Sequence, residues 1–103
     1  MTDSEMTRRC AERIGYVLCK GSLQGRQETV MRYYRKPNGE EIPLDRFMPL
    51  ERDRDCIKLV KALGISVAKT WNGGWCAWHE TVPHLEDRNY NRAVVRCASQ
   101  VQK

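Results

Sequence analysis

Hydrophobic positions recur along the chain with two periods, and the switch between them marks out the elements. From Ile65 to Glu80, ISVAKTWNGGWCAWHE, two runs rich in β-branched and aromatic residues flank Asn72-Gly73-Gly74. Asn-Gly and Gly-Gly supply the positive φ angles that a tight turn needs, so this stretch predicts a β-hairpin. With an even loop, alternation of period two places Ile65, Val67, Lys69 and Trp71 on one face with Cys76, Trp78 and Glu80. Ser66, Ala68 and Thr70 then share the other face with Trp75, Ala77 and His79. The first face is the expected core.

A helical period appears three times. Thr2, three residues before Glu5, forms a candidate capping box for a helix over Ser4 to Leu18, with Met6, Cys10, Ile14 and Val17 on its apolar side. Lys20-Gly21-Ser22 is the expected stop. A second helix is expected from Glu51 to Leu63, with Cys56, Ile57, Val60 and Leu63 inward and Gly64 ending it. Its opening alternation of Glu51, Arg52, Asp53, Arg54 and Asp55 reads as a solvated, self-paired face. After a loop at Thr81 to His84, Asp87 is the expected N-cap of a third helix through Val101, with Tyr90, Ala93, Val94, Cys97, Ala98 and Val101 as its apolar stripe.

Between the first two helices, Gln24 to Leu44 carries a second hairpin signal, with Lys36-Pro37-Asn38-Gly39 as the turn. Pro43 lacks a backbone donor, which predicts a short return strand at a sheet edge. The order α-β-β-α-β-β-α predicts one α+β domain over 1–103: a layered α/β sandwich in which an antiparallel sheet of about four strands is covered by three helices, each burying one face.

Composition narrows the function classes. The net charge of +5 favours acidic partners, among them nucleic acid, a nucleotide or an acidic protein surface. No apolar run approaches the roughly 18 residues of a membrane span, and MTDSEMTRRC offers no signal-peptide core, so a cytoplasmic protein is expected. Five scattered cysteines, Cys10, Cys19, Cys56, Cys76 and Cys97, read as reduced thiols used for packing.

No motif points to catalysis or to a cofactor. Cys76 and His79, with His84 nearby, have metal-binding chemistry, but residues three apart on a strand face opposite ways, so no metal is expected. Two histidines outside any recognisable nucleophile setting argue against an enzyme. Binding candidates are clearer. Arg88, Arg92 and Arg96 line one side of the third helix, and Arg8, Arg9 and Arg13 group on the first; two merged rows would suit phosphates. Trp75 and His79 on the hairpin's second face form either a shelf beneath a helix or an open partner site. Of the adjacent Tyr33 and Tyr34, which face opposite ways, Tyr34 is the candidate for contact.

In order and spacing, PLERDRDCIKLVKALG, the glycine-turned GISVAKTWNGGWCAWHE and LEDRNYNRAVVRCASQ resemble the phage ABA sandwich domain family of small phage and prophage proteins. The resemblance covers about Phe47 to Gln100. It implies a layered α/β/α arrangement and a phage or prophage origin, with no activity and no site residues attached. The expectation is therefore a non-enzymatic accessory protein in the bacterial cytoplasm that inhibits or redirects a host protein or ribonucleoprotein, such as a defence system in the manner of an anti-CRISPR. The alternative is a nucleic-acid or nucleotide binder using the arginine rows.

Overall fold

The computed structural model describes residues 2–22 and 30–102. Among them the chain forms helices α1 (Asp3–Arg13), α2 (Asp53–Leu63) and α3 (Tyr90–Gln100), and strands β1 (Val17–Ser22), β2 (Val30–Arg35), β3 (Glu41–Pro43), β4 (Ser66–Lys69), β5 (Trp75–His79) and β6 (Val82–Asp87). The strands make two antiparallel three-stranded sheets, β1-β2-β3 and β4-β5-β6. The α+β sandwich class is as expected. The strand count is not, because two segments that read as helix and loop pair as strands.

The first of these is Val17–Ser22. The Thr2 hydroxyl caps α1 by accepting from the Glu5 N–H at 3.2 Å, but the helix ends at Arg13 rather than Leu18. Gly15 stops it with φ +89, a left-handed conformation that costs other residues about 1–2 kcal/mol. Val17 therefore leaves the helical stripe, stands exposed, and opens a strand paired with Arg35. Gly21 lies within that strand and stops nothing. The second is Thr81 to His84, where Val82 begins β6 and Pro83 is tolerated because β6 is a sheet edge. Of the earlier hairpin, β2 and β3 stand as expected; residues 24–29 lie outside the described residues.

The molecule is elongated, 56 × 23 × 22 Å, and one helix is enclosed by the other two and by the second sheet. That helix is α3. It touches α1, α2, β5 and β6 and buries Ala93, Val94, Val95, Cys97, Ala98 and Ser99, nearly its whole circumference. The expected single apolar face is thus too narrow, since Val95 and Ser99 bury as well. Small side chains on both partners let α1 approach closely, and the Cys10 thiol donates to the Val95 carbonyl at 3.4 Å. The same core anchors the first sheet through Tyr16, Tyr34 and Phe47, whose centroids lie 5.3–6.1 Å apart, with Phe47 edge to face on both tyrosines and the tyrosine rings tilted on each other.

Helix α2 rotates relative to its sequence reading. Asp55 is buried and accepts from the Met48 N–H at 2.9 Å, which tethers the Pro49 connector, while Ile57 is 44% exposed. The helix begins at Asp53, two residues later than expected. Gly64 closes it in the left-handed conformation, as the sequence indicates.

Candidate partner-binding surfaces

The β4–β5 turn is built as a rigid tip. Thr70 N–H donates to the Gly74 carbonyl at 2.9 Å and Gly73 N–H to the Thr70 carbonyl at 3.2 Å. Gly74 N–H donates to the Thr70 hydroxyl at 2.9 Å, and that hydroxyl also meets the Asn72 carboxamide oxygen. Gly73 takes φ +87, the left-handed position of a three-residue hairpin loop. Because the loop Trp71-Asn72-Gly73 is odd, the expected face assignment reverses across the turn. Val67 pairs with Ala77 and Lys69 with Trp75, so Val67, Trp75 and the fully buried Ala77 share the inner face. Cys76 and Trp78 lie on the outer face, where the Trp78 ring stacks on His84 at 4.6 Å.

This reversal exchanges the roles of two tryptophans. Trp75 is covered: its ring meets Tyr90 of α3 edge to face at 5.0 Å. Trp71, expected in the core, is 97% exposed at the tip of the turn. Beside the tip, Thr70, Asn72, Gly74, Glu86, Asp87 and Arg88 are among the residues that line a cavity of about 460 Å³. The clue to Trp71 in the sequence is loop parity, which Asn-Gly-Gly leaves open.

Other expected contact residues are spent within the fold. Tyr34 is buried, and burial pushes its hydroxyl above the ordinary range; Tyr33 is the half-exposed neighbour. His79 Nδ1 accepts from Thr81 N–H at 3.0 Å and lies 3.0 Å from its hydroxyl. Asp87 is not the N-cap of α3; Asn89 is, accepting from Arg92 N–H at 3.0 Å. Asp87 instead accepts from Asn89 N–H and pairs with Arg92 at 3.6 Å and Arg96 at 3.3 Å. Arg92 also reaches Asp3 at 3.3 Å, and Arg8 pairs with Glu12 at 3.9 Å.

The two arginine rows therefore do not merge into one positive surface. Arg8 and Arg92 do line a common cavity of about 770 Å³, but Asp3, Glu5, Asp45 and Glu51 line it too. Arg13 has a buried Nε without a hydrogen-bond partner among the described residues. The basic surface that stands clear is on α2, where Arg54, Lys58 and Lys61 flank Ile57 on an open face. Its spacing was visible in the sequence, masked by the neighbouring Asp53 and Asp55.

Among the described residues no group of three or more His, Cys, Asp or Glu side chains is placed to hold a metal ion, and no helix is long and apolar enough to cross a membrane. Cys10, Cys56 and Cys97 are buried free thiols, with burial raising them to about 12, about 12 and about 11. Such groups stay protonated and poorly nucleophilic near neutrality. Compared with protein-family models, curated proteins and solved structures, the chain matches none.

Proposed function

We propose that this chain is a non-enzymatic binding protein of phage or prophage origin that blocks or redirects a bacterial host factor by protein contact, with Trp71 as its anchor. The observation that carries the contact is the 97% exposure of Trp71 on a turn locked by five hydrogen bonds among Thr70, Asn72, Gly73 and Gly74. Exposing an indole forgoes the roughly 1.5–3 kcal/mol that burying a large apolar side chain supplies. Holding it on a rigid support also removes much of the ordering cost of binding, and tryptophan is among the residues enriched at interface hot spots. Lys69 ends β4, and Arg88, expected on the third helix, lies instead in the connector just after β6; both are exposed beside the turn and suit an acidic rim around an apolar pocket. The phage origin rests on the resemblance of the segment from Phe47 to Gln100.

The test is capture of a host protein from bacterial lysate on immobilised wild type and Trp71→Ala, followed by calorimetry with the purified partner. Trp71→Ala should weaken that complex by at least 2 kcal/mol, about 30-fold. Equal affinity for both forms would reject Trp71 as the anchor. The competing assignment of nucleic acid to the arginine rows of α1 and α3 is less favoured, because Asp87 neutralises the α3 pair.

A further inference from the structure

Helix α2 turns a row of cations to solvent, Arg54, Lys58 and Lys61, with the half-exposed Ile57 among them. Spacings of four and three residues stack these side chains on one side of the helix, about 6 and 4.5 Å apart along its axis. None of the ion pairs among the described residues involves them. The acids nearest in sequence are engaged elsewhere: Asp53 accepts from the Asn91 carboxamide at 3.1 Å, and Asp55 from the Met48 N–H at 2.9 Å. Lys58 Nζ donates to the Tyr16 hydroxyl at 3.1 Å, which positions the ammonium without neutralising it. Arg46 and Arg52 line the adjoining groove of about 700 Å³ together with Arg54 and Lys58. Of the glutamates in that groove, Glu40 pairs with Lys36 at 3.4 Å and Glu41 sits beside Tyr33.

We infer that this belt is a sequence-independent binding surface for the phosphodiester backbone of a nucleic acid. The row is about 10 Å long, and the regularly repeated charges of one continuous phosphate backbone can engage its cations together. An acidic protein surface would have to match the same line with separate, flexible carboxylates. No base readout accompanies the phosphates, because Tyr16, the ring nearest the row, is 6% exposed and offers no stacking platform. The site is independent of Trp71.

Fluorescence anisotropy of the full chain with labelled single-stranded and duplex DNA of two unrelated sequences, between about 50 and 200 mM salt, tests the assignment. The expected result is similar affinity for both sequences, with log K falling against log salt at a slope of about −2 for single strands and about −3 for duplex. Arg54→Gln/Lys58→Gln/Lys61→Gln should lose at least tenfold in affinity and flatten the slope, with circular dichroism and melting unchanged. Arg8→Gln/Arg9→Gln/Lys20→Gln, which removes the same charge elsewhere, should retain the wild-type slope, and so should Trp71→Ala. Absent binding at low salt, equal loss in both triple variants, or equally tight binding of polyglutamate through the same three residues would overturn it; the last result would assign the belt to an acidic protein.

Discussion

At the scale of single residues, three tryptophans of similar sequence setting meet three different environments. Trp75 packs on Tyr90, Trp78 stacks on His84, and Trp71 touches little but water. Their mutational costs should differ accordingly. Trp75→Ala removes an edge-to-face partner from the sheet–α3 seam and should cost about 2–4 kcal/mol in urea denaturation. Trp71→Ala should stay within about 0.5 kcal/mol of wild type, as surface substitutions do. A large stability loss at Trp71 would mean that it supports the turn rather than a partner. Asp55 and Ile57 make the same point on α2: both lie in the amphipathic stretch, and the polar one is inside because the Met48 N–H needs an acceptor there.

At the scale of elements, one turn design is used twice. In Lys36 to Glu40, as in Thr70 to Gly74, the first residue's N–H donates to the fifth's carbonyl and a left-handed glycine stands fourth. Asn38 accepts from Glu40 N–H at 2.9 Å, much as Asn72 assists Gly74 at 3.4 Å. The asparagine and glycine positions were legible in the sequence, whereas the loop count that decides which strand face is buried was not. Gly73→Ala should cost about 1–2 kcal/mol because φ +87 is strained for alanine, measured by the urea midpoint. A neutral Gly73→Ala would show that the tip relaxes to another turn. The helix ends followed the same logic. Gly64 was readable as a stop since the apolar period ends there, while Gly15 was hidden because Ile14 and Val17 continue the period past it.

At the scale of the whole molecule, α3 gathers the other elements, and its Cys97 joins Cys10 of α1 and Cys56 of α2 among the fully buried side chains. The three thiols, ordinarily near 9.0, are raised to between about 11 and about 12 in the folded protein. Their contribution is complete below about pH 9, where both states hold the proton. Above that the unfolded chain ionises first, so stability falls by about 1.4 kcal/mol per pH unit for a thiol such as Cys10 until its folded pKa is reached. Urea midpoints followed from about pH 8 to about pH 11 should drop steeply, and Cys10→Ala should flatten the curve. A pH-independent midpoint in the wild type would place these thiols in contact with water. Native-state labelling should likewise modify Cys19 and Cys76, which are half-buried, before the other three.

The α+β class, the Gly64 stop of α2 and the two glycine turns could be read from the chain itself, because the turns and the stop depend on neighbours within a few residues and the class follows from the order of the elements. Which tryptophan is exposed, which arginines are neutralised and which helix is central required the tertiary structure. Those outcomes turn on partners far along the chain: Trp75 on Tyr90, Arg92 on Asp3, and Lys58 on Tyr16. A one-residue difference in loop length exchanges inner and outer faces of a strand, and no local propensity records that count.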